Sequence, residues 1–371
     1  MAGYNFVNNQ YYEIINKKSG KVADVNNGSQ SDGANIFQWT PQQSDNQKFL
    51  FFALDGGMYA IAAKHSGRVW GVTNRSTSDG ASIIQWEWDG DKNQEWYTNN
   101  GSSDYYEITN KNSGKVVAVS GGSTSNGADI IQWFRNNEDD QKWSFKAVET
   151  IELPDVLNTQ PLPDIPHYTS SASEILPVQT VPVITATALL PCIMVADNRW
   201  DHRAKMQSSP YYNFVKEQYW ERVESFTFPP GYSKTFQYTT GMKITDQDSM
   251  ARTTSMSIGA DAGFQFKNKT ASISTNFTTS LEVTKSHTTE QMTEQIVTET
   301  YTNPLQTTVG WTKYILVNKY HLLRTDGSQV DIAWKVTDPN TTRITTYPAP
   351  DILKSFPVLC NWESNSNKNC C

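Results

Sequence analysis

The chain has 371 residues, and aromatics make up 12% of them, with 12 Trp and 17 Tyr. These side chains join an apolar face to a polar edge, so their excess points to surfaces that contact something. Bond-breaking machinery is not visible beside them. The chain has no nucleophile-elbow G-x-S-x-G, no H-E-x-x-H and no phosphate loop. Acidic residues in the second half, such as Asp246, Asp248, Asp261, Glu282, Glu290 and Glu294, fall in Ser/Thr-rich stretches without a cleft signature. Four cysteines (Cys192, Cys360, Cys370, Cys371) match no zinc pattern and allow three pairings, among which the sequence does not choose. His65, His167, His202, His287 and His321 are scattered. The expectation is a protein that binds rather than catalyses, with neither metal nor cofactor.

The formal net charge is -7 and no run of Lys/Arg occurs, which argues against a nucleic-acid partner. The opening residues MAGYNFVNNQYYEI lack the basic and apolar regions of a secretion signal. No stretch of about 18 apolar residues is present, so any entry into a membrane is expected to use strands.

The elements that could position a binding surface are announced by a repeat. Gln38-Trp39, Gln85-Trp86 and Gln132-Trp133 recur every 47 residues. The same offset links Tyr12, Tyr59 and Tyr106, then Ile14, Ile61 and Ile108, then the Ser-Gly pairs beginning at Ser19, Ser66 and Ser113. It also links Gln47, Gln94 and Gln141. Each unit reads as four short strands, with turns at the Ser-Gly pair and at Gly33, Gly80 or Gly127. Three four-stranded units suit a closed β-trefoil, since a propeller needs at least four blades. An all-β chain is expected, with the trefoil over residues 1–149.

The unit KSGKVADVNNGSQSDGANIFQWTPQQSDNQKF resembles a ricin-B-type lectin repeat. That family carries a Q-x-W motif, matched by Gln94-Glu95-Trp96 and Gln141-Lys142-Trp143, and by Gln47-Lys48-Phe49 with Phe for Trp. The resemblance implies that these residues are chiefly core. It also implies a sugar site in each repeat, built from an aromatic face, a carboxylate and an amide. The first repeat holds all three in Asp24, Trp39 and Asn46, with Gln47 beside them. The second keeps Trp86 and Asn93, but Gly71 stands at the carboxylate position. The third keeps Trp133, with Ala118 and Asp140 at the other two positions. The first repeat is the expected site. The bland alternative is a trefoil that binds protein, with its tryptophans in the core.

After Glu149 the composition changes. Pro154, Pro161, Pro163, Pro166, Pro177 and Pro182 mark residues 150–187 as an extended linker or strap. The second domain spans 188–371, and its most patterned stretch is 255–284. Met256, Ile258, Phe264 and Phe266 alternate with polar residues. After the break Lys267-Asn268-Lys269-Thr270, so do Ile273, Phe277, Leu281 and Val283. Period-2 alternation predicts two strands of about 12 and 14 residues with one apolar face. Such a hairpin fits either a half-wet soluble sheet or, joined with copies from other subunits, a membrane barrel. Asp326-Gly327 predicts another hairpin turn.

LLPCIMVADNRW (189–200) and SPYYNFVKEQYWERV (209–223) resemble the binary-toxin, or toxin-ten, family of insecticidal proteins from spore-forming bacteria. That resemblance implies a trefoil joined to an elongated aerolysin-like pore-forming domain. It further implies a galactose-type glycan receptor on gut cells, a homo-oligomer at the target membrane, and storage as a crystal inclusion in the sporulating cell until lysis. Some members act as the receptor-binding half of a two-component toxin, so a second toxin component is the alternative expectation, and a non-toxic lectin a third. The tail CNWESNSNKNCC (360–371) maps to no family feature.

Overall fold

A computed structural model of the protein describes residues 3–102, 104–155, 157–266 and 286–349. The cysteine-rich tail and Ile273, Phe277, Leu281 and Val283 lie outside the described residues.

The first domain is three copies of a four-stranded unit. The first copy contains β1 (Gln10–Asn16), β2 (Val22–Val25), β3 (Ile36–Trp39) and β4 (Phe49–Leu54). The second contains β5 (Met58–Ala63), β6 (Val69–Val72), β7 (Ile83–Trp86) and β8 (Trp96–Ser102). The third contains β9 (Tyr105–Asn110), β10 (Val116–Val119), β11 (Ile130–Trp133) and β12 (Trp143–Thr150). All pairings are antiparallel, and β12 returns to pair with β1, which closes the trefoil. The repeated apolar positions converge on one core of Ile14, Ile61, Ile108, Phe49, Trp96 and Trp143.

The Gln of each Gln-Trp pair joins neighbouring repeats. Gln38 Nε2 donates to the carbonyls of Ser123 and Ser125 at 2.8 and 2.9 Å. Gln85 does the same to Ser29 and Ser31, and Gln132 to Ser76 and Ser78. The three carbonyl oxygens Oε1 accept from Ser19, Ser66 and Ser113, the serines of the Ser-Gly turns. A buried amide with both ends occupied in this way fixes the repeats against each other.

The second domain adds β13 (Val183–Pro191), α1 (His202–Ser208), β14 (Tyr211–Phe228), β15 (Ser233–Met242), α2 (Ile244–Thr254), β16 (Met256–Ile258), β17 (Phe264–Phe266), β18 (Gln295–Thr302), β19 (Val309–Leu323) and β20 (Trp334–Tyr347). The main sheet runs β13-β14-β19-β20-β15-β18. At about 3.3 Å per residue, the 18 residues of β14 extend roughly 60 Å. The β19–β20 connection turns at Arg324–Ser328, where Gly327 adopts φ 78°.

The strap from 151 to 182 runs along β14. Thr180 N donates to Trp220 O, and Arg222 N donates to Val178 O. Its prolines leave this flank short of donors, which blunts an open sheet edge.

Residues 255–266 depart from the sequence expectation of one long alternating strand. β16 and β17 fold back on each other, with Met256 opposite Phe266 and Ile258 opposite Phe264. The turn at 259–263 places Ala262 in the left-handed region, and the Asp261 carboxylate accepts from Gly263 N and His287 N. Those bonds hold the Asp261 carboxyl below its usual range, the His287 amide most of all. The intervening turn has an odd number of residues. It therefore preserves the even-odd register, and alternation looks the same for one strand or for this fold-back.

The two domains share a core. Tyr11, Leu50, Phe52 and Ala62 of the trefoil pack in one cluster with Leu190, Met206, Tyr211 and Phe214 of the second domain. Tyr11 Oη donates to Met206 O at 3.0 Å, and Tyr211 Oη donates to Asn8 O at 2.9 Å. The Ser66-Gly67 turn of the second repeat lies directly on α1: a Cβ on Gly67 would collide with the His202 carbonyl. At the matching Gly20 and Gly114, nothing lies within 4 Å of that position.

Candidate functional site

Each repeat presents its Trp at the end of its third strand, over the Gly of the preceding repeat around the ring. The Cζ3 atoms of Trp39, Trp86 and Trp133 lie 3.6, 3.7 and 3.5 Å from where a Cβ would stand on Gly127, Gly33 and Gly80. Those three glycines also have positive φ. The rings are not core: Trp86 is 44% exposed, and Trp39 and Trp133 are half-buried. This contrasts with the Q-x-W aromatics Phe49, Trp96 and Trp143, which are fully buried.

In the first repeat, Asp24 points from β2 toward the short turn Asp45–Gln47. Its Oδ1 accepts from Asn46 Nδ2 at 2.8 Å and its Oδ2 from Gln47 Nε2 at 2.6 Å. Burial pushes the Asp24 carboxyl above its ordinary value, and the two amides pull part of the way back. A carboxylate held this way has lone pairs left for ligand hydroxyls and little freedom to turn. Trp39 sits next to it, tilted against Phe37 at 5.6 Å, and Phe37 is the cross-strand partner of Asp24.

Gln47 is completely buried and fully engaged. Its Nε2 also reaches Thr40 O, and its Oε1 accepts from Gln42 N at 2.7 Å. It is a positioning residue for Asp24. Gln94 and Gln141 hold the corresponding loops to Glu87 O and Phe134 O.

The second repeat has no side chain at Gly71, and a cavity of about 310 Å³ opens between Gly71, Ile84, Trp86 and Asn93. The third has a cavity of about 440 Å³ lined by Ala118, Trp133, Asp140, Glu138 and Lys18. Thus Asp24, Trp39, Asn46 and Gln47 are brought together, Trp86 with Asn93, and Trp133 with Asp140.

In the second domain, Met256, Ile258 and Phe264 are buried in the shared core, where the Phe264 ring meets Phe214 and Tyr320. Gln247 of α2 pins both flanks of this hairpin. Its Nε2 donates to Ile258 O and Met292 O at 3.0 and 2.8 Å, and its Oε1 accepts from Ile258 N.

The two long motifs build the packing beneath. Asp197 is clamped by Arg324 through bonds of 2.7 and 2.8 Å and accepts from Tyr212 Oη at 2.9 Å. Burial alone would raise the Asp197 carboxyl, but the Arg324 guanidinium offsets it and holds the group below its usual value. Burial pushes the Cys192 thiol up to about 12, so it is an inert core residue. Arg324 was not singled out by sequence, because a pairing across 127 residues leaves no local signal; Tyr212 lies 15 residues from Asp197, but nothing in the sequence marks the two as partners.

A trefoil with one accessible tryptophan per repeat, two of them flanking cavities, is fused through a common core to a long-stranded antiparallel domain. The comparisons agree. Residues 4–86 and 92–156 match the ricin-type β-trefoil lectin domain-like family. Residues 183–349 match the family described as "Insecticidal Crystal Toxin, P42".

The chain is homologous to the binary larvicide subunits of Lysinibacillus sphaericus. It is 35% identical to subunit BinA over 212 residues, 57% of this chain and 56% of BinA. It is 30% identical to subunit BinB over 207 residues, 56% of this chain and 46% of BinB. The alignments thus span about half the length of these curated relatives. The crystal structure of Cry35Ab1 superposes with a TM-score of 0.78 at 24% identity, covering 93% of this chain and 91% of that one, and shows the same fold.

Proposed function

We propose that the chain is an insecticidal toxin whose trefoil recognises a galactose-type glycan on target gut cells. After oligomerisation, its second domain contributes a β-hairpin from 255–284 to a membrane-spanning barrel. The observation that carries the reading is the first-repeat cluster: a buried carboxylate oriented by two amides, on the same strand pair as a half-buried indole. The apolar side of a pyranose stacks on such a ring while its hydroxyls donate to the carboxylate.

The barrel half draws support from the ribbon of β15 and β18, which flanks the candidate segment on both sides. Its solvent face is a ladder of hydroxyls, with Ser233 bonded to Thr302 and Thr235 to Thr300, both at 2.7 Å. Its other face carries Phe236, Tyr238 and Tyr301 together with Lys234 and Glu299. Alternation of a hydroxyl face with a more aromatic one is the pattern a barrel wall would build on. Insertion would exchange the soluble packing of Met256, Ile258 and Phe264 for lipid.

A second reading is favoured by the relatives. BinA and BinB are named as subunits of a binary larvicide, so this chain would be the receptor-binding component that delivers a partner.

Dye release from insect midgut vesicles separates the readings, using the chain alone, with free galactose, and as Asp24→Ala. Release that is blocked by galactose and lost in Asp24→Ala is the expected result. Binding without release would favour the two-component reading. Unchanged binding by Asp24→Ala would remove the sugar site from the first repeat.

A further inference from the structure

The end of the second domain farthest from the trefoil is built like a surface that leaves water. β14 begins at Tyr211, whose hydroxyl bonds Asn8 O of the trefoil, and it runs to Phe228 at the other end. Two loops meet there: 229–232 between β14 and β15, and 303–308 between β18 and β19. They read PPGY and NPLQTT, and no Asp, Glu, Lys, Arg or His occurs from Phe226 to Ser233 or from Thr302 to Thr312. Tyr232 is 54% exposed and Leu305 46%, and the prolines beside them are exposed too.

The backbone beneath these side chains is closed on itself. Pro229, Pro230 and Pro304 have no N–H to satisfy. Gly231 N donates to Asn303 O at 3.2 Å, Tyr232 N to Pro229 O at 3.2 Å, and Asn303 N to Tyr232 O at 2.9 Å. Leu305 N donates to Asn303 Oδ1 at 2.9 Å. No N–H of 229–232 or 303–305 therefore depends on water. The buried Asn303 ties the loops together, its Nδ2 reaching Phe228 O, Pro229 O and Thr307 O at 3.0, 3.0 and 2.9 Å. Phe228 backs the Tyr232 ring and packs in turn on Tyr301 and Trp311. A surface loop ordinarily leaves donors to solvent, and stripping water from them is costly. Here that cost is removed in advance. The charges that border the tip are also engaged: Lys313 pairs with Glu299, and Glu174 of the strap accepts from the Thr169 and Ser170 amides.

We propose that this tip docks in the headgroup layer of a lipid bilayer, with Tyr232 and Leu305 as its anchors. A tyrosine suits that boundary because its ring is apolar and its hydroxyl is wet. The drive is burial of apolar surface, without a basic cluster to favour anionic lipid. A protein partner would be oriented by displayed polar groups, and the tip turns its N–H groups inward. The contact requires neither the sugar site nor a barrel. A domain held by a glycan at the trefoil and by lipid at this tip lies along the membrane.

The test is flotation of the full chain with vesicles of pure phosphatidylcholine, which carry no glycan. The parent should float. Tyr232→Ser/Leu305→Ser should lower its partition by about tenfold or more. Val181→Ser/Ile332→Ser removes two side chains that are more exposed, at 78% and 67%, but lie elsewhere, and should leave partition unchanged. Added salt or phosphatidylserine should alter it little. On the parent chain, photoactivatable phosphatidylcholine should label 229–232 and 303–308, read by mass spectrometry, so the result does not hang on a variant folding. Labelling confined to other segments, equal losses in the two double variants, or partition that requires phosphatidylserine overturns the proposal. Failure to float, with the tip unlabelled, overturns it as well and leaves this surface to a protein partner. Flotation with a labelled tip but no dye release upholds the proposal and counts against the pore reading alone.

Discussion

The first and second repeats have nearly the same backbone and opposite surroundings. The Ser19-Gly20 turn of the first points into open space, while the Ser66-Gly67 turn of the second is pressed onto α1. The first carries Asp24 in its pocket; the second carries Gly71. The turn of the first begins Lys17-Lys18, that of the second Lys64-His65, and His65 is buried with its Nε2 2.7 Å from Ser29 O. One copy of a threefold unit is therefore shaped chiefly as a candidate binding surface. Another is shaped as a bearing for the second domain, and its pocket is changed too. The lesson is that internal symmetry in sequence fixes the core of each repeat and leaves its edges free to diverge.

The largest effect should come from the bearing. Gly67→Ala adds a Cβ against the His202 carbonyl at φ +69°, and backbone there cannot move cheaply. Strain of about 1–2 kcal/mol for the left-handed backbone and about 1–3 kcal/mol for overpacking together give about 2–5 kcal/mol of lost stability in urea unfolding. Gly20→Ala, at φ +66° with open space, should cost only the first part. Equal losses at the two sites would break the comparison.

A smaller and more even effect is expected at the staples. Gln38→Leu and Gln132→Leu should each cost about 2 kcal/mol, since each strands a serine hydroxyl and two carbonyls that are partly rehydrated. Gln85→Leu should cost somewhat less, because Ser29 O keeps its bond from His65. A ranking with Gln85 as the costliest would contradict the shared geometry.

The smallest effect is in pH. Burial is the main cause holding both His65 and His202 below the usual imidazole value. His65 faces Asp45, Arg203 and Arg68, and His202 faces Lys205, Glu87, Arg68 and Asp32. A depressed histidine binds fewer protons folded than unfolded. Stability is thus full above an unfolded value of about 6.5 and falls as pH drops toward the folded value. Melting temperature should decline between pH 7.5 and 5.5, and His65→Gln should flatten the decline. An unaltered slope in that variant would assign the titration elsewhere.

Much of the trefoil was legible, because a 47-residue period marks the same strands, turns and buried amides three times over. The grouping of Asp24, Asn46 and Gln47 came from the lectin-repeat resemblance rather than from the repeat itself, whose matching column holds Gly71 and Ala118, and the structure joins the three by hydrogen bonds. The bearing was not: Ser66-Gly67 reads the same as Ser19-Gly20 and Ser113-Gly114, and only the fold shows which turn is covered. The fold-back at 259–263 was hidden by its odd length. The Asp197–Arg324 clamp was hidden by the length of chain between its members.

The shared core bears on how the two halves could be exchanged between relatives. Leu50, Phe52 and Ala62 belong at once to the trefoil and to the cluster around Met206 and Tyr211. Moving the lectin half onto another body is therefore no matter of cutting at the proline strap. A working chimaera must carry the β4–β5 hairpin together with its seat, α1 and the start of β14.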